Sequence, residues 1–395
     1  MAKGKGGFIG QDGLNAPDSP TAVSASAGNA QATVSFTAPS DVGGSAITGY
    51  RAQSNTGVGV SGSSSPITVT GLSNGTSYTF NVWAINAFGY SAPSDASGSV
   101  TPVDPPNRGL FAGGSTSGGS DYNTIDFINI KSAGNATDFG DLTQAARCSG
   151  MGSSTRALFP LWYETPVDYV TIASTGNAAD FGDKTENSRL FAAASNETRG
   201  LIAGGNENFT DYSDRIEYFT IASLGNATDF GNLDLAGRYG LAGCSSTTRA
   251  IFGGGYDGSY ENRIDYVTIS STGDATDFGD LSVSRTYLAS FSSNTRGLFA
   301  GGSSSGSTDE NTIDYVTISS TGNATDFGNL TVARTRPSGT SNKTTGVIAG
   351  GETTSASNVI DQVTISSTGN ATDFGDLTVA RRSTGATSDS HGGLS

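Results

Sequence analysis

Six copies of one phrase fill the last three-quarters of the chain: a strand-like segment, Ile-Asp-Tyr-Val-Thr-Ile in its clearest form, followed by Gly-Asn-Ala-Thr-Asp-Phe-Gly. The phenylalanines fall at Phe139, Phe181, Phe230, Phe278, Phe327 and Phe374, so successive copies lie 42, 49, 48, 49 and 47 residues apart. Self-similarity at a period near fifty, written in β-branched and aromatic residues, restricts the architecture to a repeat fold of short strands. Residues that occur in every copy are then read first as scaffold.

Composition agrees. Gly contributes 56 of 395 residues, and Ser, Thr, Asn and Asp crowd between the repeats, as expected of tight turns between strands. No segment keeps a helical period over three turns, and none approaches the ~18 apolar residues of a membrane helix. A net charge of -15 argues against nucleic acid, which needs clustered Lys and Arg, and fits a solubilising acidic surface. Cys148 and Cys244 occupy different positions in repeats two apart, so buried free thiols are expected rather than a bridge. Residues 1–15 are Gly- and Lys-rich with no apolar run after the lysines, which is not the pattern of a secretory signal. Lys3, Lys5, Phe8 and Ile9 are the candidates for docking this tail on a partner.

Residues 16–103 change style. Ala32–Phe36, Ile47–Tyr50, Ile67–Thr70 and Tyr78–Ala84 alternate apolar and polar residues, the pattern of half-buried strands in a small β-sandwich. Leu72, Gly75, Tyr78, Phe80, Val82, Ala84, Asn86, Gly89, Ser91 and Pro93 form a series that resembles the fibronectin type III domain, with Leu72 and Tyr78 at its tyrosine corner. Phe36 stands where that family usually has tryptophan. Such a domain implies a spacer or a weak binding surface. Residues 104–107 read as a stiff linker.

From residue 108 each copy reads as four strands. Arg-Gly-Leu-Phe-Ala-Gly-Gly opens the unit at Arg108–Gly114 and Arg296–Gly302, and the repeated phrase supplies the middle two strands, with Gly-Asn or Gly-Asp between them as a hairpin turn. The fourth begins at Arg147, Arg189, Arg238, Arg285, Arg334 or Arg381 and is rich in Ala, Gly and Ser. Small side chains suit the crowded axis of a β-propeller. The double glycine, the arginine and the period resemble kelch repeats, although the outer-strand tryptophan of many kelch motifs is absent. The predicted fold is therefore all-β: tail, fibronectin type III sandwich, then a six-bladed kelch-like propeller over residues 108–395. The last small-residue strand is expected to complete the first blade and close the ring.

Chemistry is not expected. The single histidine, His391, excludes a histidine-based dyad or triad and a histidine-rich copper site, so no catalytic residue is assigned. Asp126, Asp168, Glu217, Asp265, Asp314 and Asp361 recur and are read as partners of the recurring arginines. No spacing of carboxylates matches a calcium loop, and neither metal nor cofactor is predicted. The Asn-Ala-Thr sequons are read as turn chemistry. Function is placed instead in the loops that differ between copies, through Tyr122, Trp162, Tyr163, Phe209, Tyr212, Tyr256 and Tyr260. Trp162 is the clearest departure, because Leu161-Trp162 replaces the Gly-Gly of the other copies. Aromatic faces with nearby carboxylates suit sugars.

Tail, spacer and acidic propeller together resemble the appendage and fibre-like virion proteins of marine cyanobacterial phages. That resemblance implies a virion protein made in the host cytoplasm, attached to other virion proteins by its tail and to host surface polysaccharide or lipopolysaccharide by its propeller. A bacterial secreted or surface adhesin and a glycan-cleaving propeller enzyme are the alternatives.

Overall fold

The computed structural model describes residues 15–104, 107–207, 211–306 and 308–394. All regular structure among them is β, and the chain divides into two compact units between Asp104 and Asn107.

In the first unit, Thr21–Gly28, Gln31–Thr37 and Ile67–Thr70 form a three-stranded sheet, and Gly59–Gly62, Ile47–Ser54, Phe80–Asn86 and Gly89–Tyr90 form a four-stranded one. These seven strands are about the number expected of the sandwich, and they include the four segments picked out by alternation. Ala32, Val34, Phe36, Tyr50, Val69, Phe80 and Val82 share one core. Phe36 packs 4.8 Å from Tyr50, ring centre to ring centre, and so fills the place of the missing tryptophan. The Tyr78 hydroxyl accepts the Ser73 N–H at 3.0 Å. Past Tyr90 there is no further strand. Instead the hydroxyls of Ser91, Ser94 and Ser97 accept the N–H groups of Ala84, Val82 and Phe80 and satisfy that edge.

The second unit holds six four-stranded antiparallel sheets. Their innermost strands, in order, are Gly385–Ser388, Met151–Gly152, Ala192–Ser195, Ala242–Ser245, Ala289–Ser292 and Ser338–Ser341. The next strands are Arg108–Ala112, Arg156–Pro160, Arg199–Ala203, Arg249–Gly253, Arg296–Ala300 and Thr345–Ala349. Every one of these is buried after its first residue, because neighbouring sheets cover both faces, and so reads as a continuous run such as Gly-Leu-Phe-Ala rather than alternating. The first sheet takes its innermost strand from the C-terminal segment, with Gly385 opposite Ala112 and Ser388 opposite Gly109.

Neighbours pack in cyclic order. Each hydrophobic cluster of this unit joins two consecutive sheets, and one joins Val347, Ile360 and Phe374 of the sixth to Phe111 and Ile128 of the first. The repeat phenylalanine is the buried member of each outermost strand, at 2–3 % exposure. Its neighbouring glycine marks a register slip in each outer pair. The turn asparagines do more than turn: Asn135, Asn177, Asn226, Asn323 and Asn370 each accept a backbone N–H from the preceding sheet, at 3.0–3.1 Å.

The recurring arginine is a buried inter-sheet tie in four copies. Arg238, Arg285, Arg334 and Arg381 lie 2.9–3.2 Å from Asp265, Asp314, Asp361 and Asp126, with all eight side chains at most 1 % exposed. Arg147 and Arg189 do not belong to this set, contrary to the sequence reading. By hairpin register their places are taken by Ala146, whose N–H bonds Tyr122 O as Arg285 bonds Glu261 O, and by Ser188. Arg147 instead pairs with Asp121 at 3.0 Å. Asp168 is left with Thr143, which donates to it through both N–H and hydroxyl at 2.8 Å. Near Ser188 the cation comes from Lys184, which stands where other copies have leucine. Its buried Nζ donates to Leu161 O and Ser188 O, each at 2.8 Å.

Candidate functional site

Where the chain turns into the innermost strands it adopts the left-handed conformation, at Leu190, Gly240, Tyr287, Arg336 and Ser383, with φ from 55° to 68°. Four of the five are not glycine, so the backbone is held there by its surroundings. What holds it is a staircase of hydrogen bonds between sheets. Gly240 N–H donates to Leu190 O and Tyr287 N–H to Gly240 O, both at 2.7 Å. Arg336 N–H then donates to Tyr287 O at 2.8 Å and Ser383 N–H to Arg336 O at 3.1 Å. Further along the same strands a second staircase is built from side chains. The hydroxyls of Ser195, Ser245, Ser292, Ser341 and Ser388 donate to the carbonyls of Gly152, Ser195, Ser245, Ser292 and Ser341 at 2.6–2.8 Å.

Both staircases stop at the second sheet. There the approach from Ala146 to Gly152 is one residue shorter than from Arg238 to Ser245, and the residue lost is the left-handed one. The same copy carries Trp162. In the other copies that position is the second glycine of the pair, with φ from 96° to 113°. A Cβ at Gly302 would meet Thr286 O at 2.7 Å and Leu288 Cβ at 3.1 Å. Trp162 is not left-handed, and its N–H donates to Arg147 O at 2.9 Å.

A cavity of about 110 Å³ lies here, with residues of all six sheets in its wall. Trp162 and Ser149 border it on the second sheet, Phe191 on the third, Tyr287 on the fifth and Arg336 on the sixth. The Trp162 Nε1–H donates to the Ser149 hydroxyl at 3.4 Å. Below it a smaller cavity of about 40 Å³ shares one lining residue per sheet with the first and ends on His391. The His391 Nε2–H donates to Gly152 O at 3.0 Å, while Nδ1 accepts the Gly393 N–H at 3.2 Å, which fixes the tautomer. Burial pushes this imidazole down to about 4, the Gly152 carbonyl and Glu197 partly offsetting it. Only glycine passes where Gly393 does, since a Cβ would lie 1.8 Å from Ser195 O.

Five of the predicted aromatics fall into two groups. Tyr212, Tyr256 and Tyr260 come together, Tyr256 and Tyr260 at 5.3 Å and edge-on. Sequence reasoning missed Tyr239 and Tyr287, which extend this cluster to the cavity wall with centroids 5.5 Å (Tyr239–Tyr256) and 6.0 Å (Tyr239–Tyr287) apart. Both lie just after a recurring arginine, a place read as scaffold. Trp162 and Tyr163 stand apart from the tyrosines, and the Tyr163 hydroxyl accepts the Arg189 Nη1–H at 2.6 Å. Tyr122 is half-buried and joins neither group. Phe209, Lys3, Lys5, Phe8 and Ile9 lie outside the described residues.

Carboxylates gather away from the cavity wall, at Glu186, Glu207 and Glu217 around Arg215. A hydrogen bond to Glu186, then burial, lifts Glu207 to about 7. Among the described residues no group of three or more His, Cys, Asp or Glu side chains is placed to hold a metal ion. Both cysteines are free and buried, and burial pushes Cys148 up to about 12.

Residues 17–99 match the fibronectin type III domain family. The match covers the first unit only, and the cavity belongs to the second.

Proposed function

We propose that residues 107–394 form a closed, six-bladed, kelch-like β-propeller that displays a carbohydrate-binding cavity, and that the chain is a phage virion appendage protein attaching to host surface glycan. The observation that carries the binding reading is the cavity bordered by Trp162, Tyr287 and Arg336, where Trp162 breaks the Gly-Gly pattern of the other copies. Cyclic packing of the six sheets, and the pairing of Gly385–Ser388 with Arg108–Ala112, support closure. An aromatic wall with hydroxyls and arginine beside it is the chemistry that stacks on sugar C–H groups and bonds their oxygens. The fibronectin domain serves as spacer in this reading, and residues 1–15, including Lys3, Lys5, Phe8 and Ile9, dock on other virion proteins. The chain then works outside the cell, on the particle.

Immobilised envelope polysaccharide and lipopolysaccharide, probed with the full chain, test this. Retention is expected, and Trp162→Ala should weaken it at least about tenfold, in line with the loss of a buried aromatic contact. If no envelope preparation retains the wild-type chain, the adhesive reading is wrong.

A further inference from the structure

We infer that the cavity is a subsite for a sugar unit bearing a carboxylate, and that Arg336 is the residue that takes the carboxylate. The inference rests on the cavity being a carbohydrate site. Among its described lining residues Arg336 is the only Asp, Glu, Lys, Arg or His, although the chain carries a net charge of -15. A lone cation in a wall without carboxylates selects for anions.

The guanidinium is also unspent. Among the described residues its side chain donates no hydrogen bond, and its Nε is buried without a partner. The carboxylate beside it belongs to Glu352, whose Oε2 is 3.9 Å from Nη1 and is already taken by Arg382. A charged group with five N–H donors is thus left with an ion-pair contact too long to be a hydrogen bond. Its Cζ lies 4.4 Å from the centre of the Tyr287 ring, a cation–π contact that uses none of its N–H donors. Arg336 holds this place at a backbone cost, since its φ is 55° where the fourth sheet uses Gly240.

The ligand's chemistry follows from the pieces. A single planar guanidinium edge matches a carboxylate through two parallel hydrogen bonds. Trp162, on the second sheet, is three sheets away from Tyr287 in either direction and presents an aromatic wall opposite. About 110 Å³ is close to four water volumes, enough for the acidic edge of one pyranose but not for a chain threading through. The far end is closed by the His391–Leu394 segment. A terminal or branching uronic-acid-type unit meets these limits.

The test uses the full-length chain with a matched pair of oligosaccharides, one ending in a uronic acid and one in which that carboxyl has been reduced to the alcohol. Titration calorimetry should show the acid binding about 10–100-fold more tightly, the range expected for a charge-assisted bidentate contact. Arg336→Gln should remove that preference without changing affinity for the reduced sugar, Arg336→Lys should keep part of it, and Trp162→Ala should weaken both ligands together. Equal binding of the two sugars by wild type overturns the carboxylate assignment and leaves the adhesive reading standing. Binding of neither sugar, by a chain that does bind envelope polysaccharide, also overturns the assignment; binding of nothing at all overturns both. Should Arg336→Gln fail to fold, the wild-type comparison of the two sugars still decides.

Discussion

Arg285 shows what the repeat asks of one residue. Its guanidinium is fully buried, 2.9 Å from Asp314, and its Nη1 and Nη2 also donate to the carbonyls of Phe299, Gly301 and Thr312 at 3.1, 3.0 and 2.6 Å, leaving Nε without a partner among the described residues. Such a pair stabilises little relative to apolar residues of the same shape, but breaking it strands a charge. Arg285→Met should therefore cost about 3–5 kcal/mol, whereas Arg285→Met with Asp314→Leu should recover much of the loss; chemical denaturation of all three proteins measures this. The recurring arginine and aspartate were both visible in the sequence. Their exact register was not, because Arg147 and Arg189 sit one residue past the buried position and only hairpin hydrogen bonds reveal it. Lys184 was equally hidden, since it occupies a leucine position. Burial pushes it down to about 7, with Glu217 and Glu164 offsetting part of the effect. Between that value and the ordinary 10.5 the unfolded chain binds the extra proton, so this residue's contribution to stability rises with pH across that window. The melting-temperature gain of Lys184→Leu over wild type should be largest below pH 7 and shrink toward pH 10. A difference that stays constant with pH would show that Lys184 titrates normally.

At the scale of the strand, the innermost element was legible in composition and misplaced in detail. Ala, Gly and Ser were expected there, and burial between neighbouring sheets accounts for them. The strands themselves start later than the arginines, at Ala242, Ala289, Ser338 and Gly385, because a left-handed residue intervenes. No local sequence signal announces it, since Leu190, Tyr287, Arg336 and Ser383 share no side-chain chemistry; inter-sheet hydrogen bonds impose the conformation. The cavity was partly legible for the same reason. Trp162 stood out as a break in the Gly-Gly pattern, while Tyr239, Tyr287 and Arg336 lay in a segment read as scaffold. The coupling of approach length to the second glycine gives a contrast to measure. Gly302→Ala puts a Cβ at 2.7 Å from Thr286 O at a φ of 102°, and should lower stability by about 1–3 kcal/mol. Trp162→Gly should by itself leave the strand in place, and inserting one residue after Ala146 should be tolerated only in the Trp162→Gly background. Circular dichroism melting of the single and combined variants reads this out.

Six sheets that each bury a face against the next leave no free face only if the sixth also packs on the first, as Val347, Ile360 and Phe374 pack with Phe111 and Ile128. Gly385–Ser388 gives the first sheet its innermost strand, the Ser388 hydroxyl reaches Ser341 O at 2.6 Å, and Leu394 is buried at 2 % exposure beyond the glycines. Neither staircase crosses from the first sheet to the second, because Gly152 has no hydroxyl and the left-handed residue is deleted. His391 compensates in part by bonding Gly152 O. Its imidazole is neutral when folded, held down to about 4 against an ordinary 6.5, so below pH 6.5 the unfolded chain takes up the proton first. Stability from this contact is present above about pH 6.5 and is lost as the pH falls to 4. His391→Gln should therefore flatten the fall in melting temperature between pH 6.5 and 4 relative to wild type, with little change at pH 8. Removing residues 385–394 should act at every pH, since it exposes the edge of Arg108–Ala112 and the apolar wall beneath it. An uncovered strand edge pairs with other chains. Light scattering after size exclusion should then find concentration-dependent association, absent from the full chain and from His391→Gln; a monodisperse truncated chain would mean that the first sheet holds its edge without the C-terminal strand.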